Sequence, residues 1–159
     1  FDPVSGLPTP ILFWEILSLA VRRARRARDF FSVLLIDFDW NELPADIAEQ
    51  AAPVLYKRFA DRIKALMRAS DTVASFERSQ IVVLAESMPR IEDVQIVAAK
   101  ILSDITAPTA YEDRYVTVSA AIGIAIYPTS GGSAEALIGR ASQALSTSRD
   151  RSTNRFAFG

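Results

Sequence analysis

A chain of 159 residues carries one domain with a substantial core and is too short for two ordinary ones. Half of its residues are hydrophobic and 23% are charged, which excludes intrinsic disorder and collagen-like or fibrous classes. Eighteen basic residues against 19 acidic ones leave a net charge of −1, so no global field draws the chain to nucleic acid or an anionic membrane. The absence of Cys and His excludes disulfides, thiol catalysis, His-based triads and Cys/His zinc sites, which leaves carboxylates, hydroxyls, Lys and Arg for chemistry.

Phe1-Asp2-Pro3 forms neither a signal peptide nor an initiator Met, and no apolar run approaches the roughly 20 residues of a membrane span. The chain therefore reads as a piece of a longer protein, with the reducing cytoplasm as its default location. Residues 1–10 hold three prolines and one glycine and form an extended lead-in. A helix is expected over Ile11 to Arg28, its C-terminal end carrying five arginines in seven residues, a pattern that complements the helix dipole on a solvated face. Phe31 to Phe38 is a short apolar run of strand formers that delivers Asp37 and Asp39 at its end. Ala45 to Met67 shows helical spacing, with a break expected near Pro53.

Thr72 to Phe76 and Ile81 to Ala85 read as two strands joined through Glu77-Arg78-Ser79-Gln80 in a hairpin whose tip lies near the end of the first strand if the strands pair. Ile91 to Ile105 is an amphipathic helix, Tyr115 to Tyr127 a strand region, and Ser133 to Ser148 a helix after the Gly131-Gly132 turn. Arg155 to Phe158 is expected as an edge strand with Phe156 and Phe158 facing the core. Trp14 and Trp40 read as packing residues. Helices alternating with strands and hairpins predict an α/β (α+β) sandwich around a mostly antiparallel sheet.

Several fragments in this order resemble the GGDEF family, the bacterial diguanylate cyclase domain that joins two GTP molecules into cyclic di-GMP. Asp2-Pro3-Val4-Ser5-Gly6-Leu7-Pro8 resembles its D-x-L-T-G-L-P opening, and Leu34-Leu35-Ile36-Asp37-Phe38-Asp39 its first strand with D-x-D. Arg68-Ala69-Ser70-Asp71 matches R-x-x-D, Ala121 to Pro128 is similar to S-I-G-I-A-x-Y-P, and Leu137 to Leu145 stands in place of L-x-x-x-A-D-x-A-L. The resemblance spans nearly the whole of residues 1–159 and implies one domain with a ferredoxin-like, palm-type core as in nucleotide cyclases.

The signature is what departs. Nine residues after Arg68 the loop reads Glu77-Arg78-Ser79-Gln80-Ile81 where the family has Gly-Gly-Asp/Glu-Glu-Phe, and only the apolar last position is kept. Joining nucleotides needs a divalent metal held by opposed carboxylates. Asp37 and Asp39 supply one side, but Ser79 and Gln80 offer no charged ligand on the other, and Glu77 and Arg78 bring side chains into the space that glycines leave open. The residues after D-x-D read Trp40 and Asn41, then Pro44-Ala45-Asp46, and the later Gly-Asp reads Ala52-Pro53, so the guanine-reading Asn and Asp are lost or displaced. Arg149 keeps a charge at the family's phosphate-binding Lys, while Thr153 loses a second cation.

The resemblance thus implies a catalytically inactive regulatory or interaction domain with no catalytic residue. No cofactor is expected, Mg²⁺ at Asp37 and Asp39 being the one candidate, against a plain reading of those acids as caps or Arg partners. The expected partners are an adjoining sensor or phosphodiesterase-type domain of the same chain, with a homodimer and cyclic di-GMP or GTP as open alternatives. The second reading is a cyclic di-GMP or GTP receptor that uses Arg68 and Asp71, the family's inhibitory-type site, or the remnant cleft near Asp37. Against it, Arg68 and Asp71 also suit an i,i+3 pair at a helix end, and the next helix offers only Lys100 as a further cation. A residual cyclase ranks third. A receiver domain fits the strand-end acids but lacks the regular run of parallel strands.

Overall fold

A computed structural model of the chain describes residues 1–86, 88, 90–148 and 156–159 in full and the backbone of Arg149. The chain opens with Thr9, whose Oγ1 accepts from the Leu12 amide at 3.3 Å, and with Pro10 at the first helical position, so helix α1 starts one residue earlier than expected and spans Pro10–Ala27. It ends where Arg28 turns left-handed (φ 57°) and its N–H reaches the Ala24 carbonyl.

Strand β1 (Phe31–Phe38) is the middle of a five-stranded sheet of order β2-β3-β1-β6-β7, with β2 at Thr72–Phe76, β3 at Gln80–Ala85, β6 at Ala120–Tyr127 and β7 at Phe156–Phe158. β1 runs antiparallel to both neighbours, in register Ile36 to Ile81 and Ile36 to Ile122, and β7 joins parallel to β6. Helix α2 (Ala48–Leu66) links β1 to β2, and helix α3 (Ile91–Thr106) links β3 towards β6. Each β-α-β unit therefore leaves a gap between its strands that a strand of the other fills, which is the ferredoxin-like interlock.

Both faces of the sheet are covered, which is why β1 is buried along nearly its whole length and does not alternate between buried and exposed residues. Leu34, Ile36 and Phe38 join one cluster with Leu55, Phe59 and Ile63 of α2 and Ile101 and Ile105 of α3. Phe31, Val33 and Leu35 join the other with Phe13 and Leu17 of α1 and with Leu137, Ala141 and Leu145 of helix α4 (Ala134–Arg149). Leu34, Ile36, Val82, Leu84, Ile122 and Ile124 are all 0% exposed. Gly123 lets α4 lie directly on β6, because a Cβ there would meet the Ala141 carbonyl oxygen at 1.9 Å.

Further expectations need correction. Helix α2 starts at Ala48, not Ala45, and runs unbroken through Pro53. Pro53 and Glu49 are both exposed, so the proline lies on the solvent side of the helix, where a missing donor costs least. The expected strand from Tyr115 to Tyr127 is two separate elements. Its start belongs to a ribbon of β4 (Thr109–Tyr111) and β5 (Arg114–Val116), turned at Glu112 (φ 54°), and residues 117–119 break the chain before β6. At the last strand, Phe156 packs against the core but Phe158 is 37% exposed at the sheet edge, and Arg155 lies outside the described residues. Finally, α4 extends to Arg149, one residue beyond the expected end. Trp14 and Trp40 pack against the two clusters as expected.

Candidate functional site

The β1–β3 pairing brings the hairpin tip to the end of β1, and this sets the site. Gln80, the first residue of β3, is 9% exposed and its Nε2 donates to Asp37 Oδ1 at 3.0 Å. The Gln80 carbonyl accepts from the Tyr56 hydroxyl of α2 at 2.6 Å. Burial holds the Tyr56 phenol above its ordinary range, with the charge of Asp2 acting in the same direction. The tip itself, Glu77–Ser79, is a single exposed 3-10 turn in which Arg78 (φ 55°) and Ser79 (φ 57°) are both left-handed. Such a conformation favours glycine and costs another residue roughly 1 kcal/mol.

Asp39 stands just beyond β1 and acts as a cap. Its Oδ1 accepts from the Asn41 amide at 3.2 Å at the start of the short turn Trp40–Glu42, and its own N–H donates to the Ser119 carbonyl at 2.9 Å. Glu42 closes the same loop by accepting from the Ser119 backbone N–H and, at 2.9 Å, from its hydroxyl. A cavity of about 500 Å³ lies here, lined by Asp37, Asp39, Asn41, Arg78 and Ser119. Trp40 divides it from a second cavity of about 280 Å³ walled by Val4, Pro53, Tyr56 and Phe76. Asp46, the displaced acid of the loop, is turned away into a two-point pair with Arg114 at 3.0 and 3.2 Å, which lowers its carboxyl below the ordinary range.

Nucleotide cyclisation uses a divalent metal ion. Such an ion needs carboxylates from two sides. Among the described residues no group of three or more His, Cys, Asp or Glu converges, and the group facing Asp37 across the sheet is a neutral amide that donates to it.

Arg68 and Asp71 lie in the turn between α2 and β2. Asp71 Oδ2 accepts from the Arg68 amide and Oδ1 from the Glu86 amide, both at 3.0 Å, so this carboxylate ties the turn to the end of β3. Glu86 in turn pairs with Arg23 of α1 at 2.9 Å. Lys100 is exposed on α3. The side chain of Arg149, with Thr153, lies outside the described residues. Sequence reasoning therefore placed Asp37, Asp39 and the loop together correctly and missed Tyr56 and Glu42. Tyr56 had a signal, a phenol on the buried face of an amphipathic helix that needs a partner. Glu42 had none.

The family profile described as "Diguanylate cyclase, GGDEF domain" matches residues 1–155. The chain belongs to the GGDEF family. It is similar to the bifunctional diguanylate cyclase/cyclic di-GMP phosphodiesterase MucR of Pseudomonas aeruginosa, with 30% identity over 158 residues, 99% of this chain and 23% of that protein. The diguanylate cyclase TpbB of the same organism is 31% identical over 146 residues, 91% of this chain and 34% of that protein. The chain thus spans about a quarter to a third of these relatives' length. The solved GGDEF domain of TpbB superposes with a TM-score of 0.89 at 29% identity, covering 99% of this chain and 91% of that one. The GGDEF domain of DgcB from Caulobacter crescentus, solved with c-di-GMP, shares the fold at 15% identity, with a TM-score of 0.90 over 99% of this chain and 94% of that one.

Proposed function

We propose that this GGDEF domain is catalytically silent and works as a regulatory or interaction module of a cytoplasmic cyclic di-GMP signalling protein. The observation that carries the reading is the Gln80 amide on Asp37, 3.0 Å away, where an opposed acid would be needed to hold metal. A glutamine there satisfies the aspartate without an ion, so the strand end is stable with its chemistry gone. The fold around it is fully kept, with both faces of the sheet packed. A domain with an intact core and no usable site serves through the surface it presents to a neighbour. The relatives fit such a role, since MucR is named for two opposed activities and NbdA, 24% identical over 159 residues, as a cyclic di-GMP phosphodiesterase.

The receptor reading uses Arg68 and Asp71 or the remnant cleft near Asp37. It ranks second because the Asp71 carboxylate already accepts two backbone amides that hold the turn.

The test is an activity assay of the full-length parent protein. Asp37→Ala with Ser79→Ala is expected to leave that activity nearly intact, whereas deleting the domain abolishes or deregulates it. Loss of activity in the double alanine variant, with folding verified, would show that the remnant cleft still works and would put the receptor reading first.

A further inference from the structure

Helix α1 buries Phe13, Leu17, Ala20, Val21 and Ala24. Its outer side carries Ile11, Glu15, Leu19, Arg22 and Arg26 at intervals of three or four residues, which makes them a single stripe. Ile11 is 77% and Leu19 51% exposed. Arg25 flanks the stripe, and Arg28 stands just past the helix end. Cations in a last turn complement the helix dipole, but only Arg25 and Arg26 lie there, so the dipole does not account for Arg22. Arg23 pairs with Glu86 at 2.9 Å and Arg25 donates to the Gly132 carbonyl at 3.1 Å. Arg22, Arg26 and Arg28 enter none of the ion pairs among the described residues.

The charge of the chain is unevenly placed. The five arginines between Arg22 and Arg28 carry +5, and the other 13 basic residues against 19 acidic ones leave −6 on the rest of the molecule. Glu15 is the single acid of α1 and stands two turns before the arginines. A domain polarised in this way meets a negative surface with the arginine end first, although its net charge is −1. The phosphates of a nucleic acid would use the arginines and leave Ile11 and Leu19 in water. A bilayer with anionic headgroups uses both on one convex helix face and demands no shape-matched cavity: guanidiniums lie at the phosphates, and the aliphatic side chains and arginine stems enter the interface. Among the described residues no helix is long and apolar enough to cross a membrane, so such a contact is peripheral.

We infer that the outer face of α1 is a docking surface for an anionic lipid bilayer, with Arg22, Arg25, Arg26 and Arg28 on the headgroups and Leu19 and Ile11 in the interface. Each arginine brought to such a surface multiplies the partition coefficient about fivefold, and two aliphatic side chains add little area, so the contact is salt-sensitive and reversible. The inference does not rest on the loss of catalysis, since lipid binding through α1 by a domain that turned over GTP would leave it standing.

Co-sedimentation of the 159-residue chain with vesicles of phosphatidylcholine, with and without about one-third phosphatidylglycerol, tests it at low salt. The wild type is expected to bind the phosphatidylglycerol vesicles, to leave the neutral ones in solution and to be released as salt rises. Arg22→Ala with Arg26→Ala, both exposed and outside the core, is expected to weaken binding by about tenfold or more and to flatten its salt dependence. Leu19→Ser is expected to weaken it severalfold with the salt dependence unchanged. Thermal melts of both variants should match the wild type, since neither position packs inside the fold. No binding to the phosphatidylglycerol vesicles overturns the inference, as does equal binding to neutral ones or binding that the double arginine variant leaves unchanged. Retention on a polyglutamate peptide or a 20-nucleotide RNA at the same salt, without binding to vesicles, also overturns it and makes the patch a protein or nucleic-acid surface.

Discussion

Replacing Gln80 by Glu tests the reading of the site at its centre. The Gln80 amide nitrogen lies 3.0 Å from Asp37 Oδ1, and the side chain is 9% exposed, so a glutamate there sets two carboxylates against each other with little water between them. Two like charges about 4 Å apart repel by roughly 4 kcal/mol at an effective dielectric of about 20, and the lost hydrogen bond removes about 1 kcal/mol more. The side chains can part and recover some of this, which leaves a destabilisation of about 2–4 kcal/mol at pH 8. Repulsion raises the folded-state affinity of the pair for a proton above its unfolded value. The stability of Gln80→Glu is therefore fullest at low pH and falls as pH rises through the raised folded-state value. The assay is urea unfolding at pH 5 and pH 8 in chelator, repeated with Mg²⁺. The variant should approach wild type at pH 5 and fall behind at pH 8, and Mg²⁺ should recover part of the loss in the variant and add nothing to the wild type. A variant as stable as wild type at pH 8 in chelator would refute the contact on which the reading depends.

Arg78→Gly removes a side chain from a left-handed position at φ 55°, and thermal melts should show a gain of about 0.5–1 kcal/mol. Tyr56→Phe leaves the Gln80 carbonyl without its 2.6 Å donor, and urea unfolding should register a loss of about 1–3 kcal/mol. Where calorimetry detects cyclic di-GMP binding, Arg68→Ala should weaken it at least about tenfold, because a bidentate charge-assisted contact contributes about 1.5–3 kcal/mol. Unchanged affinity would place the ligand elsewhere.

What the sequence disclosed follows the strength of its local signals. Phe31 to Phe38 read as a buried strand, and of the strand region expected from Tyr115 to Tyr127 the part Ala120 to Tyr127 pairs with it over the whole length of both. Long amphipathic helices were equally plain, although Pro53 counted as a break only because its exposure cannot be read from the chain. The β4–β5 ribbon escaped notice because three-residue strands hold too few positions for a period to show. At the site, the order of the motifs placed the loop beside Asp37. The contacts that now fill it were not legible, since Gln80 to Asp37, Tyr56 to Gln80 and Glu42 to Ser119 each join residues far apart in sequence and depend on rotamers and on strand register. Asp71 carried a ligand motif in sequence and shows in the fold a second use, holding two amides of its own backbone surroundings.

The central claim, that the strand end around Asp37 no longer supports nucleotide cyclisation, is tested most directly by incubating the purified chain with GTP and Mg²⁺ or Mn²⁺ overnight and separating the nucleotides by chromatography. The account predicts no cyclic di-GMP above a control without protein. Clear formation of cyclic di-GMP that Asp37→Ala abolishes would contradict it.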